Sequence, residues 1–176
     1  MGQALIGMSC IEMQFRDLDA AARHLEEGMA LFERGGDDSM ALVPAGLLGV
    51  CARLKGDLGA ARRRYVDVLI RAQRAGWHAG VTLPIAGLAD LALLEGDAER
   101  AAVLGGAQAQ VAERLGGTPS FTLVGVADVL EQARSELCDE RYQLAATRGR
   151  STPLDEIILL ALSGGAEAEA RPGRRS

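Results

Sequence analysis

Few side chains in this sequence could do chemistry: two histidines, three cysteines and a spread of carboxylates. His24 lies on a helical stretch beside acidic residues, and His78 follows Trp77 in a turn. Neither has a serine or cysteine spaced for a nucleophile–base pair. Cys10, Cys51 and Cys138 stand far apart, with no CxxC and no Cys/His cluster. They therefore predict no zinc site and no disulfide framework, and read as small apolar residues of a reducing compartment. Asp17, Asp57 and Asp97 are accounted for by helix capping, and Glu95 with Asp97 makes no distinctive acid–base pair. No catalytic residue, metal ligand or cofactor is expected.

The densest positive run, Arg62-Arg63-Arg64, sits inside a helical pattern with apolar neighbours and reads as a solvated face. A net charge of −5 gives no concentrated positive face for phosphates. Direct contact with nucleic acid is therefore not expected. The chain has no run of about 18 apolar residues and no basic-then-apolar leader, so the expectation is a cytoplasmic protein without a membrane span.

The elements that carry these side chains must be helices. Hydrophobic residues make up 48% of the chain but aromatics only 3%, so the core is built from Ala, Leu, Val, Ile and Met. That composition suits helices packed closely over small side chains, whereas sheets lean on aromatic and β-branched residues. Helices are expected at 2–15, 18–34, 39–55, 58–75, 81–95 and 98–116, with Asp38 and Ser39 offering a cap for the third and Pro84 in the first turn of the fifth. Three more follow: from about Phe121 to Leu137, from Asp139 to Arg148 ending at Gly149, and a last one with Thr152 as N-cap, Pro153 first and Asp155 closing a capping box. Gly164 and Gly165 are expected to end that helix, and the tail to be disordered.

Three stretches, beginning at Gly7, Leu47 and Gly87, align without gaps at a spacing of 40 residues. In register stand Met8, Leu48 and Leu88; Ser9, Gly49 and Ala89; Asp17, Asp57 and Asp97; and Ala21, Ala61 and Ala101. A large apolar knob, a small residue that lets backbones approach, a capping Asp and a close-packing Ala recur in each copy. Gly56 and Gly96 supply the left-handed turn before the cap, while Arg16 stands there in the first copy.

This layout resembles the tetratricopeptide (TPR) repeat, most fully in the second copy, where Leu48, Gly49, Gly56, Asp57, Ala61 and Tyr65 match. The spacing exceeds the family's usual period of about 34 residues, and Gly105 stands where the family has a large residue. The fold implied is all-α: a TPR-like helical-hairpin solenoid of three ~40-residue repeats over 1–117, capping helices over 118–163 and a tail over 164–176. The run RAAVLGGAQAQVAERLGG followed by ELCDERYQLAATRGRSTPLDEIILLAL is similar to the closing segment of large bacterial ATP-dependent transcriptional regulators, LuxR-type and related. The residues that carry this likeness are Arg100, Ala101, Ala102, Arg114, Leu115, Gly116, Leu154, Asp155 and Glu156. No phosphate-binding G-x-x-x-x-G-K-[ST] loop is present, and no helix-turn-helix pattern follows Leu162. The expectation is a C-terminal arm or a stand-alone remnant of one.

The TPR resemblance also implies a groove lined by the first helix of each pair. Its residues would be Ile6, Cys10, Met13 and Gln14; Val43, Gly46, Val50, Arg53 and Leu54; and Leu83, Ala86, Asp90, Leu93 and Leu94. This lining is mostly apolar, with Arg53 and Asp90 as isolated charges. It suits a greasy helix or the chain's own C-terminal helices better than an acidic tail. The expected role is therefore to bind a protein partner or a small effector. The alternatives are a stand-alone small-ligand-binding helical domain and an adaptor unrelated to transcription. On the first helix, Leu5, Met8, Glu12 and Phe15 share the face expected to pack on the second helix, while Ile6, Cys10 and Met13 form another apolar face. A terminal helix apolar on two faces predicts further repeats upstream or a homodimer through residues 1–34.

Overall fold

The structure, a computed structural model, describes residues 1–116 and 128–169, with side chains through residue 163. Among these residues every regular element is helical. Helices α1 (Gly2–Gln14), α2 (Leu18–Arg34), α3 (Asp38–Leu54) and α4 (Leu58–Arg74) are followed by a 3₁₀ turn at His78–Val81. Then come α5 (Thr82–Leu94), α6 (Ala98–Arg114), α7 (Val129–Glu136), α8 (Asp139–Ser151) and α9 (Leu154–Glu169). The stretch predicted as helix from Phe121 lies partly outside the described residues, as does the tail from residue 170.

One device is repeated along the chain. Arg16, Gly36, Gly56, Gly76, Gly96 and Gly116 all have positive φ, from 63° to 85°, and stand 20 residues apart. After each of the first five, the next backbone N–H donates back to the carbonyl five residues earlier: Asp17 to Glu12, Asp37 to Phe32, Asp57 to Ala52, Trp77 to Ala72 and Asp97 to Ala92. This is the Schellman closure of a helix. Asp17, Asp37, Asp57 and Asp97 then accept from the N–H three residues on and so open the next helix. One tripeptide thus satisfies both ends. The period visible in the turns is 20 residues, half the spacing found by aligning the sequence, because the turns within and between hairpins have the same chemistry. Asp37, not Asp38 or Ser39, caps α3.

Three-residue turns between packed neighbours force an antiparallel course, and each helix packs on the next from α1 to α6. This packing is consistent with a helical repeat. Trp77 is the exception among the caps, since it has no carboxylate to offer. The chain takes a 3₁₀ turn instead, and α5 has 13 residues where α2, α3, α4 and α6 each have 17. Pro84 is the third residue of α5, within its first turn as expected.

The C-terminal helices depart from their predicted ends. Gly149 does not stop α8. A Cβ there would lie 1.9 Å from the Val103 carbonyl oxygen, and one at Gly106 would lie 2.3 Å from that of Ala146. These two glycines let the α6 and α8 backbones touch. Thr152 does not open α9, because its hydroxyl donates to the Arg148 carbonyl and closes α8. Helix α9 continues through Gly164 and Gly165 to Glu169.

The face of α1 expected to pack on α2 is split. Leu5 and Glu12 meet α2, at Gly28 and His24, while Met8 and Phe15 are exposed; Gly2, Ser9 and Met13 are the buried residues of the helix. A Cβ on Gly2 would meet the Phe32 ring at 2.8 Å, so the start of α1 lies close against the end of α2.

Arg16 is the only non-glycine residue with positive φ among those described. A side chain in that region costs about 1–2 kcal/mol, offset in part by the ~0.4–1 kcal/mol of extra chain entropy glycine brings to the unfolded state. Arg16→Gly is expected to stabilise the fold by about 0.5–1 kcal/mol and Gly56→Ala to destabilise it by a similar amount. Urea midpoints measure both, and a destabilised Arg16→Gly would contradict the turn assignment.

Candidate functional site

The predicted groove residues come from α1, α3 and α5. Met13, Val50, Asp90 and Leu93 are buried, and Ile6, Cys10, Arg53 and Leu54 are half-buried. Leu94 and Gln14 are exposed. Gly46 lies under Leu83, whose side chain would meet a Cβ there at 2.9 Å. Most of this lining is therefore packed into the molecule, and what faces outward is the rim formed by Leu54, Leu94 and the half-buried α1 residues.

At the centre of the set, two residues expected to be isolated charges are bonded to each other. Arg53 Nε donates to Asp90 Oδ2 at 2.6 Å, and its Nη2 donates to Oδ1 at 2.9 Å. The fork is bidentate, and the Asp90 side chain is only 2% exposed. The bond to Asp90 raises the Arg53 pKa further, more than burial lowers it. The pair joins α3 to α5 across 37 residues of sequence.

Tyr65, on α4, closes the same region from below. A Cβ at Gly49 of α3 would lie 2.6 Å from its ring, and one at Gly87 of α5 would lie 2.4 Å away. The ring is thus clasped between two glycines, one on each neighbouring helix. Its hydroxyl is buried without a hydrogen-bond partner among the described side chains and backbone. Burial, with the Asp90 charge adding to it, pushes the phenol well above its ordinary range. Sequence alignment marked Tyr65 as a repeat position. It could not show that Gly87, in the neighbouring copy, was kept small to receive it.

Several other titratable groups join helices or are buried. The His24 ring holds the Glu12 carboxylate at 2.9 Å, tying α2 to α1. Arg62 pairs with Glu95, while Arg63 and Arg64 are exposed. Burial pushes the Cys51 thiol up to about 11, the opposite of what a nucleophile needs, and raises Cys10 as well. Among the described residues no cluster of His, Cys, Asp or Glu could hold a metal ion.

Helix α9 packs on α4, α5 and α6. Arg100 donates to the Leu160 and Ala161 carbonyl oxygens at 2.7 and 3.2 Å, joining α6 to α9. A cavity of about 220 Å³ lies between α6, α8 and α9, lined by residues that include Gln110, Arg114, Thr152 and Ile157. It is separate from the predicted groove. No family model matches the chain, and neither the curated proteins nor the solved structures hold a match to it.

Arg53→Met strands a buried carboxylate and is expected to cost about 3 kcal/mol or more in chemical denaturation. Tyr65→Phe removes a hydroxyl that makes no bond and is expected to be neutral or stabilising by about 1 kcal/mol. A large loss in the phenylalanine variant would show that the hydroxyl is bonded after all. Thiol-reagent kinetics at neutral pH should label exposed Cys138 first, Cys10 slowly and Cys51 only on unfolding.

Proposed function

We propose that this chain is a TPR-type scaffold of three helix pairs, binding a protein partner or a small effector as the C-terminal arm of a bacterial transcriptional regulator. The observation that carries the scaffold reading is the 20-residue succession of left-handed turns, four of them followed by a capping Asp. Asp residues placed at helix starts and a buried ion pair joining α3 to α5 fit a chain organised to present surface. Its buried thiol and phenol are shifted away from reactivity, which also favours binding over catalysis.

The regulator reading rests on the motif residues. Arg100, of the Arg-Ala-Ala start, bonds to carbonyls of the closing helix that begins Leu-Asp-Glu, so the two ends of the similar segment meet in one contact. Ala101 and Ala102 are fully buried beside it. No helix of the described residues is long and apolar enough to cross a membrane, and a cytoplasmic setting fits the free cysteines. The mechanism is a population shift: a partner seated on the rim at Leu54 and Leu94 favours one arrangement of the arm over another.

Affinity capture from the source organism, read by mass spectrometry, tests this with three baits: the native chain, a Leu54→Arg/Leu94→Arg rim variant and an Arg63→Ala control on α4. The expected result is a partner enriched by the native chain and the control, and at least about tenfold less by the rim variant, a loss of about 1.4 kcal/mol. Equal capture by all three baits would overturn the groove reading. Peptide mapping of the native polypeptide that finds no nucleotide-binding segment joined to this chain would overturn the regulator reading.

A further inference from the structure

Two cavities of the molecule are lined by charges of both signs. Arg71 and Arg74 border one, where α3 begins and α4 ends, together with Asp38, and Arg148 borders another with Glu156. The cavity of about 220 Å³ between α6, α8 and α9 differs. Among the described residues two arginines line it and no carboxylate does. In a chain with a net charge of −5 this is a local reversal of sign.

The cavity follows from the corner at which α8 passes into α9. The α6 and α8 backbones touch at Gly106 and Gly149, and the corner then lies over the last turns of α6. One face of α6, at the spacing i, i+3, i+4, i+7, supplies Ala107, Gln110, Val111 and Arg114. Leu154 and Ile157 of α9 supply a second, apolar wall.

The two arginines are not equivalent. Arg150 is held by Glu113, whose carboxylate accepts from both of its Nη groups at 2.8, 2.9 and 3.0 Å, so its charge is paired. The hydroxyls of Ser151 and Thr152 donate to carbonyls of α8. Arg114 and Gln110 make no hydrogen bond or ion pair among the described residues. The side-chain donors left for a ligand are therefore the Arg114 guanidinium and the Gln110 amide.

We infer that this cavity binds a small organic monocarboxylate, its charge on Arg114 with Gln110 beside it and its apolar part against Val111 and Ile157. One unpaired cation calls for one negative charge, and the planar guanidinium matches a carboxylate through two parallel bonds. The apolar walls favour a hydrocarbon body over an inorganic anion. Sites for drug-sized ligands run to about 300–1,000 Å³, so the occupant here is smaller. The site lies apart from the rim at Leu54 and Leu94 and does not rest on what the rim binds. A ligand in it touches α6, α8 and α9 together, and so holds the closing helices on the last hairpin.

Benzoate and hexanoate are the probes, titrated into the full, isotopically labelled chain and followed through the backbone amide signals of Gln110, Arg114 and Gly149. At least one of them should give saturable shifts at these amides at millimolar concentration or below. The matching amide, benzamide or hexanamide, keeps the shape and loses the charge, and should bind at least about tenfold more weakly. Arg114→Gln should weaken the carboxylate by at least about tenfold with the remaining spectrum unchanged. Arg74→Gln, at the equivalent position of α4, should leave binding as it is. No saturable shift with either carboxylate, equal binding of the carboxylate and its amide, binding indifferent to Arg114→Gln, or inorganic phosphate binding as tightly would overturn the inference.

Discussion

Everything in this molecule hangs on how a helix can end and another begin within three residues. Each helix leaves four carbonyls and four N–H groups without internal partners, and a buried end cannot leave them so. A left-handed residue followed by Asp answers both needs at once, the first turning the chain so that its N–H groups reach back, the second accepting forward. Because the solution takes a fixed number of residues, it sets helix length as well. Four of the helices come out at 17 residues, and each folds back along its predecessor. Which face is buried then follows from register alone.

The dependence is clearest where the device fails. Trp77 follows its left-handed glycine but cannot cap, and the chain delays the next helix by a 3₁₀ turn. The shortened α5 is buried over nearly its whole length. A helix enclosed on all sides has nowhere to put a charge unless the charge is paired. Asp90 is 1% exposed and sits in that helix. Its bidentate bond to Arg53 is therefore what permits the helix to be buried there, and the pair ties α5 to α3 where the turn no longer does.

The local part of this was legible in the sequence. The first six helices end within a residue or two of their expected limits, because caps and turn glycines act on their immediate neighbours. What escaped depended on helices distant in sequence. Arg53 and Asp90 carry no mark of each other across 37 residues. Gly149 reads as a helix stop by type, yet its want of a Cβ serves contact with Val103. The apolar positions of α1 were visible, but two faces of similar hydropathy cannot be ranked until the partner is placed. In the structure the expected face is divided, with Leu5 and Glu12 against α2 and Met8 and Phe15 outside. The candidate lining suffered likewise, since the pattern names the residues facing a neighbour without saying whether the neighbour is solvent or protein.

A repeat conceals function by giving most residues a structural reason to exist, so its departures carry the information. Arg16 takes a conformation suited to glycine at the first turn. Phe15, beside it, replaces the charged residue with which each later hairpin grips the helix before it. Both departures fall in the first hairpin, on the same turn, and both concern the side of the stack that no later helix closes. At the other end Arg100 and the α6–α8 glycine contact seal the last hairpin with helices of a different spacing. The two ends of the described stack are thus not equivalent: at one, Arg100 and two glycines hold the last hairpin against α9 and α8, and at the other Met8, Ile11 and Phe15 of α1 are exposed.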